Sequence, residues 1–280
     1  MFAQRGRGGT GRRAGLRSLL PQGSGSSILL VRTILERGCP GGQPFLFREL
    51  SLSSTLRLHD FTGKSLVRDD FINAVKSNQE AFRLDLGDDV VERLADYYEL
   101  VQQHNPILHL VGPCSPEEFA TRHILESLTL LEFLPANARL ADIGTGAGLP
   151  AIPCLIARGD ISAVLIESKQ KKCEFLKTAA SNLSLGPRIQ IIDRQFEEVN
   201  PSGFEVITCR ALDKLVDKLP RLLKWGKSRT FLLFGGFTLL EALDNLEINY
   251  RRKLMPLSRQ RFLFVFRKQI DQGKFHEAKR

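Results

Sequence analysis

The chain has 280 residues, 42% of them apolar, and a formal net charge of +9. That is enough for one large domain, or one domain plus an extension, and no apolar run approaches the ~18 residues of a membrane span. The five cysteines (39, 114, 154, 173, 209) form no C-x-x-C and the five histidines are scattered. No metal site is therefore expected, and the thiols read as reduced core residues of a cytoplasmic protein.

The charge is unevenly placed. Residues 1–63 hold nine arginines, no lysine and three acids, a net charge of +6, which leaves +3 for the remainder. The same stretch holds 11 of the 23 glycines. Residues 1–66 thus read as a low-complexity basic extension, disordered or lying upstream of the true start, with Val67 as an alternative initiator. A basic arm touching RNA and an organelle transit peptide are the other two readings.

Residues 67–135 read as a helical cap. Asp69 and Asp70 are placed to cap a first helix carrying Phe71, Ile72, Val75 and Phe82. A second helix starts near Asp88 or Asp89, with Val91, Leu94, Ala95, Tyr98 and Val101 at helical spacing. The run H-N-P-I-L-H-L-V-G-P (104–113) reads as a loop. Ser115-Pro116-Glu117-Glu118 then opens a third helix, with proline in the first turn and acids at the positive end. Its core stripe is Phe119, Ile124, Leu128 and Leu131. Arg122, His123, Glu126 and Ser127, taken by themselves, read as a partly exposed polar face.

From residue 136 to the end the pattern alternates. Strands are expected over 139–143, 162–167, 188–193, 204–209, 229–234 and 260–267. Helical segments are expected over 149–158, 169–184, 195–199, 213–224 and 238–246. Such alternation argues a mostly parallel α/β sheet with helices on both faces and a ligand at the carboxyl ends of the strands. The stretch 139–158 carries the chemistry. A short apolar strand runs through Asp142 into Gly144, Gly146 and Gly148, and a second apolar run follows. Glycine lets the backbone turn sharply and lets a ligand lie against bare main chain. The next strand ends in Glu167, at the offset where such folds hold ribose hydroxyls. The spacing is G-x-G-x-G rather than the dinucleotide G-x-G-x-x-G. It fits a ligand with an adenosine and an amino-acid part, S-adenosyl-L-methionine.

The motifs A-D-I-G-T-G-A-G-L-P-A-I-P, R-H-I-L-E-S, L-I-E-S-K-Q-K-K-C-E-F-L and V-I-T-C-R-A-L together resemble the bacterial small-subunit (16S) ribosomal RNA guanine-N7 methyltransferases, also called the glucose-inhibited division protein B family. The resemblance covers roughly residues 70–268. It implies a class I S-adenosylmethionine-dependent methyltransferase fold, Rossmann-like, with a mostly parallel seven-stranded sheet and a helical N-terminal cap. It implies cofactor contacts at Gly144, Gly146, Leu149, Glu167, Phe196, Glu197 and Arg210, and substrate contacts at Arg122, His123 and Arg210. The implied partner is 16S ribosomal RNA or the small ribosomal subunit, with no membrane, and the protein is expected to be a monomer.

No catalytic acid or base is expected. Guanine N7 is a lone-pair acceptor with no proton to lose, so positioning does the work. A methyltransferase with another substrate, a nicotinamide-dependent dehydrogenase and a non-enzymatic RNA-binding or ribosome-assembly protein are the competing readings. Basic residues at Lys169, Lys171 and Lys172, and at Arg251-Arg252-Lys253, are candidates for RNA contact.

Overall fold

The computed structural model describes residues 66–210, 212 and 214–267. Up to residue 65, the expected basic extension lies outside the described residues. Seven strands form one sheet: β1 Arg139–Ile143, β2 Ser162–Glu167, β3 Ile189–Asp193, β4 Val206–Cys209, β5 Thr230–Gly235, β6 Arg251–Leu254 and β7 Phe262–Arg267. Their order is β3-β2-β1-β4-β5-β7-β6. The first five are parallel, while β7 runs antiparallel to both β5 and β6. The strand order reverses beside β1, which makes the carboxyl ends of β1 and β4 the crevice for a ligand.

Six strands lie within two residues of where the apolar runs place them. The addition is β6, whose sequence R-R-K-L has no apolar alternation. It pairs on one side only, at the sheet edge, where charged side chains are the rule because they discourage further strand pairing. The central strands β1 and β2 are buried almost throughout, as expected of parallel strands covered on both faces.

Two apolar layers sandwich the sheet. On one face Leu140, Leu165, Leu232 and Leu263 meet α1 (Leu66–Asn78), α2 (Asp88–Leu108) and α3 (116–133), together with α4 (Ala151–Ala157) and α5 (Gln170–Asn182). On the other, Ile143, Ile166, Ile207 and Phe231 meet α6 (Leu215–Gly226) and α7 (Phe237–Asn245). The helices before residue 135 and the sheet after it therefore share one core. Within it Phe71 stacks on Tyr98 at 4.6 Å, and Phe119 meets both rings edge-on. None of the helices among the described residues is long and apolar enough to cross a membrane.

The helical region departs from expectation in three places. Asp69 and Asp70 lie inside α1, which already runs from Leu66, and so do not cap it. Their neighbour Arg68 is buried and pairs with Glu92, Asp96 and Glu99 of α2 at 2.6–2.9 Å. Residues 104–108, read as loop, form the last turn of α2 with Pro106 inside it. Asn105 closes that turn: its carbonyl accepts from His109 N–H at 2.9 Å and its Oδ1 from Val111 N–H at 2.9 Å. Finally, α3 starts as an α-helix capped by Ser115 Oγ, widens over Phe119–Leu125 to i→i+5 bonding, and tightens again after Leu128. Widened turns of this kind recur at functional sites.

One contact ties the cap to the glycine loop. The fully buried Tyr97 of α2 donates its hydroxyl to the Ala147 carbonyl at 2.9 Å. Removing it leaves a buried acceptor unpaired, at a cost of about 1–3 kcal/mol. Tyr97→Phe is expected to lower stability by that amount in denaturant titration and to weaken S-adenosylhomocysteine binding. Wild-type affinity in the variant would show that the tether does not shape the loop.

Candidate cofactor and substrate site

The glycine loop leaves β1 at Ile143, and Gly144 N–H continues the ladder by donating to Ile166 O at 2.9 Å. A Cβ on Gly144 would sit 2.8 Å from Leu212 Cδ1, and one on Gly148 (φ +93°) would sit 2.3 Å from Ile152 Cδ1. Packing alone thus demands glycine at both. At Gly146 (φ +59°) nothing comes nearer than 3.9 Å to such an atom. This middle glycine leaves bare backbone facing free space.

Two acids flank the loop. Glu167, at the end of β2, accepts Gly146 N–H at 3.0 Å through Oε2 and Lys169 N–H at 2.9 Å through Oε1. Its carboxylate therefore holds the loop, with one further lone pair on each oxygen. Asp142 is fully buried. Its Oδ2 accepts from Thr145 Oγ1 at 2.6 Å, while Oδ1 has no partner within the protein. Burial pushes the Asp142 carboxyl up to about 8, opposed by hydrogen bonds from Thr145 and the Ala151 backbone N–H and reinforced by Glu167. A buried carboxyl with an unpaired oxygen suits a cationic or N–H-bearing ligand group.

A small cleft opens beside the loop, lined by Ile143, Gly144, Ile166, Ser168, Phe196 and Leu212 among others. Phe196 is buried and meets Trp225 edge-on at 5.6 Å. Apolar walls and a ring suit a flat heterocycle. Leu149 is buried in the core beneath the loop, and its N–H donates to Thr145 O at 3.1 Å. Glu197 is exposed and lies 3.5 Å from Arg221. The loop and its orphaned acid thus fit S-adenosylmethionine. Asp142, Gly144, Gly146, Glu167 and Phe196 are the residues that would hold it.

An arginine cluster lies at the carboxyl end of β4, the strand beside β1. Arg210 follows β4 and is largely buried. One Nη donates to Glu126 Oε2 at 3.3 Å and to the Arg122 carbonyl, and its guanidinium lies 5.3 Å from the Phe234 ring. Its other Nη is buried without a partner. Arg261, from the β6–β7 hairpin, grips the second Glu126 oxygen at 2.7 and 2.8 Å. Arg122 pairs with Glu118 one turn earlier in α3. His123 lies against Phe119 with Nδ1 unpaired. Burial, with Arg210, Arg122 and Arg261 close by, pushes the His123 imidazole down to about 3, so it is neutral at ordinary pH.

The structure corrects the reading of this face. Glu126 and Ser127 are buried, at 2% and 0% exposure, and not part of an exposed surface. Burying a carboxylate is costly unless it is paired, and here two guanidiniums pair it. Arg122, His123 and Arg210 do come together, as the motifs imply. Glu126, the common partner of Arg210 and Arg261, was not anticipated in this role. Its signal in the sequence is an acid set among Ile124, Leu125 and Leu128, and its two arginine partners lie 84 and 135 residues away.

Asp142 carries a pH signature. Its folded pKa is raised, so between about pH 4 and 8 the unfolded chain has lost this proton while the buried carboxyl keeps it. The contribution of Asp142 to the stability of the ligand-free protein is full below about pH 4 and declines through this window. Melting temperatures from pH 5 to 9 should show a fall that Asp142→Asn shares much less. Parallel curves for the two proteins would contradict the assignment.

Comparison with known proteins agrees with this geometry. A model of the family described as rRNA small subunit methyltransferase G matches residues 90–260. The ribosomal RNA small subunit methyltransferase G of Sorangium cellulosum (strain So ce56) is 34% identical over 183 residues, covering 63% of this chain and 74% of the relative. That of Gluconobacter oxydans (strain 621H) is 37% identical over 148 residues, covering 53% and 72%. That of Halorhodospira halophila (strain DSM 244 / SL1) is 34% identical over 146 residues, covering 52% and 69%. With a match running from α2 to the turn before β7, across both the glycine loop and the Glu126–Arg210 pair, the chain belongs to the rRNA small subunit methyltransferase G family.

Proposed function

We propose that this protein transfers the methyl group of S-adenosylmethionine to N7 of a guanine in small-subunit (16S) ribosomal RNA, working as a cytoplasmic monomer on the RNA or on the small subunit. The observation that carries the reading is the placement of two unpaired, buried polar groups at the carboxyl ends of the neighbouring strands β1 and β4. Asp142 Oδ1 sits by the cofactor loop, and an Arg210 Nη sits at the end of β4. When bound, the cofactor supplies an electrophilic methyl on a sulfonium. The protein has no proton to remove from N7, and the neutral His123 needs no acid or base role.

The residues divide the task. Asp142 and the bare backbone at Gly146 receive the cofactor, and Glu167 fixes the loop and offers lone pairs to hydroxyls. Phe196 and its neighbours receive the adenine. Arg210, held by Glu126, offers its free N–H to an acceptor on the substrate such as guanine O6 or a phosphate, or to the cofactor. Arg122 and His123 border the same space. Orientation of this kind is worth up to ~7–11 kcal/mol in favourable systems.

The test is calorimetric titration of the full chain with S-adenosylhomocysteine, with Gly146→Ala as control, followed by methyl transfer to unmethylated small-subunit RNA and mapping of the product. Gly146 is the better probe because an added methyl meets no protein atom nearer than 3.9 Å, and the backbone strain of its positive φ is read separately from the variant's melting temperature. The expected results are micromolar binding, at least tenfold weaker in the variant, and 7-methylguanosine at one position. Absence of binding would leave a non-enzymatic RNA-binding or assembly role. Methylation of another base or molecule would refute the assigned substrate.

A further inference from the structure

The β6–β7 hairpin carries cations that the site does not use. β6 is the outermost strand. A groove of about 540 Å³ runs beside it, bordered by Arg83, Glu132, Phe133, Arg251, Lys253 and Pro256. Side chains alternate along a strand. Arg251 and Lys253, opposite Val265 and Leu263, share the face that packs toward the cap helices. Arg252 also borders the groove, with its guanidinium 5.6 Å from the Phe262 ring. Lys253 is paired with Glu132 of α3. Arg83 and Arg251 are exposed and have no ion pair among the described residues.

The groove leads to the site. β6 runs in the same direction as β5, and Leu254 and Gly235 both register with Phe262. The end of β6 therefore lies at the carboxyl edge of the sheet, where the crevice is. Pro256, at the groove's end, also borders a second cleft lined by Arg122, Glu126 and Arg261. Cations thus continue from Arg210, through Arg261 and Arg122, around Pro256 to Arg251 and Arg83. A line of guanidiniums leading away from a reactive centre is what a polyanionic strand requires. We propose that this groove holds the phosphate backbone of the RNA substrate to one side of the target guanine. The proposal rests on the methyl-transfer reading above. A protein partner would not need the groove to be continuous with the guanine site, and RNA does.

The experiment measures KM for small-subunit ribosomal RNA against salt, using the full chain, Arg83→Glu/Arg251→Glu and, as a control on the sheet's other face, Lys224→Glu in α6. S-adenosylhomocysteine affinity serves as the check on folding, and Arg83→Gln/Arg251→Gln replaces the double variant if that affinity is lost. The double variant is expected to raise KM at least tenfold at about 0.1 M salt. It should also reduce the log–log salt slope by about 1.4, which is two single-strand phosphates at ~0.7 each. Lys224→Glu should change KM less than threefold. Wild-type KM and slope in the double variant, or an equal loss in Lys224→Glu, overturns the groove while leaving the activity standing. A wild-type chain that binds S-adenosylhomocysteine yet neither binds nor methylates the RNA overturns both readings.

Discussion

A single buried carboxylate joins the parts of this molecule that would otherwise be independent. Glu126, at 2% exposure, takes Arg210 on one oxygen and Arg261 on the other. One partner follows β4, the other comes from the β6–β7 hairpin, and Glu126 itself belongs to the cap. Neither charge type could sit there alone. Removing one partner from a buried pair typically costs about 3–5 kcal/mol, because the other charge is left uncompensated. The cap helices therefore complete the crevice as well as covering the sheet. The widened turn of α3, which ends at Leu125, sets the phase at which Glu126 faces inward.

The glycine loop is held by geometry rather than charge. Leu212 and Ile152 close on Gly144 and Gly148, Glu167 pins the Gly146 amide, and Tyr97 pins the Ala147 carbonyl from α2. Rigid backbone surrounds the one glycine left open. A transfer that needs no general base depends on such preorganisation, since the reacting atoms need only be brought into line. The two regions use different physics, with packing at the glycine loop and paired charge around Glu126. Both lean on the cap.

Much of this was legible in the chain. The apolar runs of β1 and β2 mark buried parallel strands, and Gly144, Gly146, Gly148, Asp142 and Glu167 announce a nucleoside-type ligand by spacing alone. Other features were hidden for identifiable reasons. β6 has no apolar alternation because it is an edge, so Arg251-Arg252-Lys253 looked like a solvated charge run. Pro106 suggested a break, yet the Asn105 side chain and carbonyl close the helix end beyond it. Glu126 looked like an ordinary polar residue because what makes it special is distant in sequence. A helical period shows which face a residue occupies. It does not reveal an arginine that a strand order brings to that face.

The most direct test of this account is the single-turnover methyl-transfer rate of Glu126→Gln, measured beside its unfolding temperature. Glutamine keeps the shape and removes the charge that holds Arg210 and Arg261. The account predicts a protein that still folds but transfers methyl groups at least tenfold more slowly, because Arg210 is no longer fixed. A folded variant with the wild-type rate would contradict it and would reduce the buried carboxylate to a structural tie.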